Sequence, residues 1–297
     1  MKNVRLLRYR IRNYSKLYNS AIALHNFYCN LTGFMHVKPD FYIIGAAKCG
    51  TSSLYDHLIR HPEIHSAVGK ELHYFEELFS RGNNWYKACF PFKTKKFFEQ
   101  SILKKKFLTG EATPRYIDNP HVPKRIKEFT PNAKFIVMLR NPIDRAYSHY
   151  SMITHGKSAF LENLSFEEAI LKENERINEE VNKIEKDPNY QNEDYYTFGY
   201  LERGYYAKKL KFWFNSFPKN KFHIVQSEEF FKNPDFIYNQ VLDFLDVDKF
   251  HLLNYKKIKS GKYGSKLNPK TRDYLSNYFS NYNEELYDLI GKKFNWD

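Results

Sequence analysis

From Pro39 onward the chain alternates short apolar runs with segments whose apolar residues recur every three or four positions. Asp40-Phe-Tyr-Ile-Ile-Gly45, Lys106-Phe-Leu-Thr-Gly110, Lys134-Phe-Ile-Val-Met-Leu139 and Lys221-Phe-His-Ile-Val225 suit buried strands. Between them, Thr51–His61, Val122–Phe129, Asn141–Ile153, Tyr205–Phe217 and Asp235–Leu245 carry helical spacing. Strands that alternate with helices predict βαβ units, hence an α/β fold with a mainly parallel central sheet flanked by helices. Ligands of such sheets bind beyond the C-terminal ends of the strands, so chemistry is to be sought in the residues that follow each run.

Two segments stand apart. Residues 1–39 contain no Asp or Glu and seven Lys or Arg. Their apolar residues show no clean helical period, so a short basic arm or helix docked on the main domain is the plainer reading. Weak attraction to an anionic membrane surface is the sharper one. Residues 162–194 hold eleven acidic and four basic residues, with Phe166, Ile170, Ile177, Val181 and Ile184 near helical spacing, which predicts a solvated amphipathic helix. The chain therefore divides into an arm at 1–37 and one domain at 38–297, with an acidic helical insertion at about 160–195.

Composition narrows the function classes. The 297 residues are 42% hydrophobic and 18% aromatic, which excludes global disorder. Net charge is +13, and since residues 162–194 carry −7 the remainder carries +20, favouring an anionic ligand or substrate. The three cysteines, Cys29, Cys49 and Cys89, have no CxxC pair and form neither a disulfide framework nor a zinc site. No run approaches the length of a membrane span, and the basic start lacks the apolar core of a leader, so the chain reads as cytoplasmic.

Three stretches carry candidate chemistry. Ile44-Gly-Ala-Ala-Lys48-Cys49-Gly50-Thr51-Ser52-Ser53 is a strand passing through a small-residue loop into a helix. Helix N-terminal N–H groups attract anions, the glycines permit close approach, and Lys48 adds a charge. The loop differs from GxxxxGK[ST] in that Lys48 precedes Gly50. A plain helix start explains it about as well. In Leu139-Arg140-Asn141-Pro142-Ile-Asp144-Arg-Ala-Tyr-Ser148 a strand ends in Arg140, and Asn141-Pro142 fit an N-cap with Pro at the first helical position. Arg140 and Ser148 could converge on one phosphate, or Arg140 could pair with Asp144. In Lys70-Glu71-Leu72-His73 the carboxylate and imidazole, two apart on an extended segment, point the same way and are candidates for general-base work.

Together, and in this order, the three stretches resemble the sulfotransferases that use 3′-phosphoadenosine 5′-phosphosulfate, above all the domains that modify heparan sulfate and similar bacterial proteins. The resemblance runs from about Asp40 to Asp297 and includes Glu111-Ala-Thr-Pro114-Arg-Tyr116 and Gly204–Phe217. It implies that Gly45–Leu54 is a P-loop-like phosphosulfate-binding loop, with Lys48, Cys49, Gly50, Thr51 and Ser52 on the donor. It implies further that Arg140 and Ser148 hold the donor's 3′-phosphate and that Glu71 is the catalytic base, followed by His73. Ser265 and Lys266 are assigned to the donor site through a loose match to the family's closing Lys-Gly-Arg loop. The Lys that commonly follows the Glu of the family's EKTP-like segment is replaced by Ala112, and the late cysteine pair is absent.

The reaction so implied is in-line sulfuryl transfer to a hydroxyl or amine of a saccharide or polysaccharide acceptor, an anionic one suiting the positive charge. Lys48 and the loop N–H groups would stabilise the leaving phosphate oxygen, Glu71 would take the acceptor proton, and no metal is needed. Two rivals remain: a P-loop kinase, against which the displaced Lys48 speaks, and a basic module binding nucleic acid or anionic glycan, for which no nucleic-acid motif is present.

Overall fold

A computed structural model of the chain describes residues 16–155, 162–191, 193–255 and 266–296. Five strands form one sheet: β1 Phe41–Gly45, β2 Ile64–Ser66, β3 Leu108–Ala112, β4 Lys134–Leu139 and β5 Phe222–Gln226. They lie in the order β2-β3-β1-β4-β5, and every pair is parallel. The main helices are α1 Lys16–Thr32, α2 Thr51–Leu58, α3 Val122–Phe129, α4 Pro142–His155, α5 Glu173–Lys186, α6 Tyr206–Ser216, α7 Pro234–Leu245 and α8 Pro269–Ile290.

The strands are apolar without alternation because helices cover both faces of the sheet. All five residues of β1 and the last five of β4 are buried. β1 is the centre, in register Ile43 to Ala112 of β3 on one side and Ile43 to Ile136 of β4 on the other. The chain moves from β3 to β4 by crossing β1, so the strand order reverses at β1 and a crevice opens beyond its C-terminal end. Much of the aromatic content lies in the core, where Tyr42, Phe75, Tyr86, Phe135 and Trp213 are all buried.

Three expectations change. The acidic segment is not one solvated helix: Phe166–Leu171 and α5 are separate, broken at Lys172, and Glu193–Phe198 follows. Ile177, Ile184, Tyr195 and Tyr196 form a small core there, and two of its acids are buried with partners. Glu162 accepts from Arg176 at 2.6 Å, and Glu173 accepts the Leu201 and Glu202 N–H groups at 2.7 and 2.8 Å. Residues 70–76 are not extended, since Glu71 and His73 both take left-handed backbone, φ 62° and 53°. The basic N-terminal segment does hold a helical period: α1 ends in a turn, Gly33–Met35, and docks against the short helix Asn83–Lys87 through buried Cys29 and Gly33.

Under the crevice sits a buried carboxylate. Glu111 of β3 accepts from Tyr86, from Tyr116 at 2.9 Å and from Thr113 at 2.7 Å. Burial pushes its pKa up from 4.5 to about 7, against the lowering effect of those hydrogen bonds. A carboxyl whose folded pKa is raised binds more protons in the folded state. Its neutral form costs the fold nothing below about pH 4.5, and stability is lost as pH rises toward 7. The loss is about 3 kcal/mol by the one-unit rule. Urea denaturation of wild type is expected to show this decline, and Glu111→Gln to flatten it; an unchanged pH slope in the variant would remove Glu111 as its source.

Candidate functional site

The loop after β1 is shaped by two left-handed residues, Lys48 (φ 72°) and Gly50 (φ 91°). Gly50 caps α2, and a Cβ there would lie 2.7 Å from the Phe231 ring. The curled loop runs directly into the first turn of α2, and the N–H groups of a helix start are an arrangement that binds anions. Thr51 is buried, while Lys48 and Ser52 are partly exposed. Cys49 is buried within the core, where burial pushes its thiol up to about 11, and its carbonyl accepts from Ser227 Oγ at 2.6 Å. Its N–H already donates to the Ala46 carbonyl at 3.3 Å.

β4 delivers the second part. Arg140 leaves the strand tip and donates to the Lys48 carbonyl at 3.5 Å, tying it to the loop, while its own carbonyl accepts from Tyr206 at 2.9 Å. Asn141 Oδ1 accepts the Ile143 N–H at 2.9 Å, so the N-cap with Pro142 at the helix start forms as the sequence predicts. The pairing of Arg140 with Asp144 does not form; Asp144 takes Arg272 instead. Ser148 is buried two turns into α4. This face of α4 is held near the loop's charge: His149 beside it is kept well below the usual histidine range first by burial, then by Arg203, Arg145 and Lys48.

The third part lies across the crevice on β3's side. The Glu71 N–H bonds to the Ala112 carbonyl at 3.0 Å, fixing the segment to the end of β3. Lys70 Nζ then bridges two groups, donating to Ser52 Oγ at 2.7 Å and to Glu71 Oε1 at 2.7 Å. The other Glu71 oxygen is 3.9 Å from His73 Nε2. His73 Nδ1 lies 2.5 Å from Glu76 Oε1 and 4.0 Å from Glu77. Burial alone would lower the His73 pKa, but the hydrogen bond and charge of Glu76, with Glu77, leave it raised. Glu76 is itself raised, mainly by burial. The two residues thus converge despite the non-extended backbone, through a turn and not through strand geometry.

Lys70, Glu76 and Glu77 are neighbours of the candidate site that the motif reading left unassigned. Spacing offered a signal, because Glu76 and Glu77 follow His73 by three and four residues. Arg115 pairs with Glu77 at 2.7 Å and with Glu193 of the acidic segment at 3.3 Å. Glu76, Glu77, Asn119, Tyr190, Gln191 and Glu193 line a cavity of about 210 Å³ beside His73. His73, Glu76 and Glu77 place ligand atoms within 4.8 Å of one another and are the residues, among those described, that could hold a cation. Ser265 lies outside the described residues. Lys266 is exposed ahead of α8, whose cap is Asn268, and no described contact ties it to the crevice.

Comparison with known proteins bears on this arrangement. Residues 38–278 match a family described as Sulfotransferase domain. A protein named "Membrane-associated sulfotransferase kil1", from Dictyostelium discoideum, is 30% identical over 87% of this chain and 66% of its own length. "Heparan sulfate glucosamine 3-O-sulfotransferase 5" of Mus musculus is 28% identical over 87% of this chain and 74% of its own. The crystal structure of a sulfotransferase from Alicyclobacillus acidocaldarius superposes with a TM-score of 0.64 at 28% identity, over 88% of this chain and 99% of that one.

The cytoplasmic expectation is corrected here. It rested on the missing apolar leader and span, and a relative this similar is named membrane-associated. No helix among the described residues is long and apolar enough to cross a bilayer, but attachment to a membrane surface requires none.

Gly50→Ala is expected to destabilise the fold by about 1–3 kcal/mol, because the left-handed backbone disfavours a side chain. The new Cβ would also press on Phe231. The denaturation midpoint measures this; an unchanged midpoint would contradict the loop geometry.

Proposed function

The chain belongs to the sulfotransferase family of enzymes, and from that premise we propose that it transfers a sulfuryl group from 3′-phosphoadenosine 5′-phosphosulfate to a hydroxyl or amine of a carbohydrate acceptor. We place the domain at residues 38–297, with 1–37 as an N-terminal arm. The observation that carries the reading is the Lys70 bridge. One ammonium joins Ser52 of the anion loop to Glu71, so that a donor phosphate and a candidate base face the same crevice.

In this reading the loop N–H groups, Lys48, Thr51 and Ser52 bind the phosphosulfate end of the donor. Arg140, with Ser148 on α4, takes the 3′-phosphate, for which a guanidinium fork is suited. The acceptor oxygen or nitrogen forms a bond to sulfur as the bond from sulfur to the bridging phosphate oxygen breaks. The electron pair leaves with adenosine 3′,5′-bisphosphate. Lys48 and the dipole of α2 stabilise charge growing on that oxygen. Glu71 Oε2 accepts the acceptor proton, while Lys70 fixes the other carboxylate oxygen and His73, held by Glu76, limits the carboxylate's swing. Ala112 supplies a backbone acceptor for Glu71 where relatives of the heparan sulfate type commonly carry Lys, so no side chain from that position reaches the acceptor.

The acceptor side differs in charge from the donor side. The cavity beside His73 is walled by Glu76, Glu77 and Glu193, with amide and phenol groups between them. That wall favours a hydroxyl-rich or amine-bearing sugar next to the reacting group over one already sulfated there. The similarity to heparan sulfate glucosamine 3-O-sulfotransferase 5 supports a glycan as acceptor class.

Glu71→Gln is expected to lower kcat by about 100-fold or more while binding of the bisphosphate persists. Transfer of labelled sulfate to a glucosamine-containing glycan measures this, and undiminished turnover would exclude Glu71 as base. Arg140→Ala should weaken adenosine 3′,5′-bisphosphate by about tenfold or more and AMP far less. Equal weakening of both nucleotides would contradict the 3′-phosphate assignment.

A further inference from the structure

We propose that the protein docks on an anionic lipid bilayer through a face built from α1 and residues 92–105, at the end of the sheet remote from the loop after β1. The inference stands apart from the donor and acceptor assignments, since it uses none of their residues.

The helix α1 presents the wrong side to water. Its inner side buries Cys29 and meets the helix Asn83–Lys87. Leu24, Phe27, Leu31 and Phe34 follow one another by three, four and three residues, forming one stripe along α1 and the turn after it. Each is at least 60% exposed. A helix on a soluble surface ordinarily turns such a stripe inward, and contiguous exposed apolar side chains mark an interaction surface.

A second apolar group lies on residues 97–103. Phe97 is 65% and Ile102 61% exposed, with Phe98 and Leu103 between and beside them. The two groups are joined by an antiparallel bridge between His36 and Phe92, whose rings are 4.0 Å apart.

Charge completes the surface. Residues 1–39 contain no acid, and 92–106 hold six lysines against one Glu99. The Glu99 carboxylate is turned inward onto His65 at 2.7 Å. Between this surface and the N-terminal ends of β1, β3 and β4 runs a groove of about 810 Å³, lined by Lys38, Lys93, Lys96, Lys106 and Lys134 among others, with Asp40 and Asp246. Within the groove Lys96 faces Asp40 and Lys106 faces Asp246 and Asp248, so the charge that an anionic lipid interface would meet is that of the lysines among residues 93–105 that accompany the exposed apolar side chains. A second copy would fit badly, because a two-fold contact would set lysines against lysines. Since the sheet is parallel, strand N-termini would face the bilayer and the crevice beyond β1 would face away from it.

Co-sedimentation with phosphatidylcholine vesicles, with and without phosphatidylserine, tests the proposal. The full chain is expected to sediment with phosphatidylserine vesicles and to be released as salt screens the lysines. The double variants Phe97→Glu/Ile102→Glu and Leu24→Glu/Phe27→Glu should each lower binding by about tenfold or more, with unchanged melting temperatures because these side chains are exposed. Wild-type protein that stays in solution with phosphatidylserine vesicles, or variants that sediment as wild type does, would overturn it. So would a dimer of the wild type that the same substitutions dissolve without any vesicle binding.

Discussion

β1 is hydrogen-bonded to β3 on one side and to β4 on the other, and this double pairing decides what can meet at its end. The segments that leave β3 and β4 must diverge from β1 in opposite directions, so the loop after Gly45 opens into a gap that neither neighbour fills. Each part of the site is then attached to one of the three strand ends. Glu71 is bonded to Ala112 at the tip of β3, Arg140 leaves the tip of β4, and Lys48 stands on the loop from β1 itself. The carboxylate under the crevice, Glu111, is held neutral over much of the acid range by the same burial that makes β1 the centre of the core.

The site is electrically divided. On one side are Lys48, Arg140 and a helix N-terminus; on the other are His73, Glu76, Glu77 and Glu193. Lys70 stands at the boundary, one of its hydrogen bonds on each side. Such a division suits a reaction that receives negative charge at one end and a proton at the other. It also gives the acidic segment a place. By carrying Tyr190, Gln191 and Glu193 to the cavity wall, that segment helps to shape the acidic side of the crevice beside His73, which its charge pattern alone did not suggest.

The sheet was readable because buried parallel strands are apolar throughout, and all four apolar runs lie within two residues of four of the observed strands. The fifth, β2, is three residues long and too short to leave a pattern. The 22-residue α8 was missed: Leu275, Phe279 and Leu286 are buried along it, but its many tyrosines blur the period. The acidic stretch misled because its charges mask the break at Lys172 and the buried partners of Glu162 and Glu173. At the site, the loop and the strand tips followed from local sequence. The turn that brings Glu71 to His73 did not, since two non-glycine residues in left-handed backbone carry no sequence signal. The Lys70 bridge joins residues 18 apart across the crevice and is visible only when folded.

On the proposal above, the loop after β1 and the tip of β4 form one site for a nucleotide phosphorylated at both 3′ and 5′ positions. Calorimetric titration of the full chain with adenosine 3′,5′-bisphosphate, AMP and ATP in the absence of metal tests it most directly. Saturable binding of the bisphosphate, in clear preference to the other two, is expected. Equal or stronger binding of AMP or ATP would contradict it.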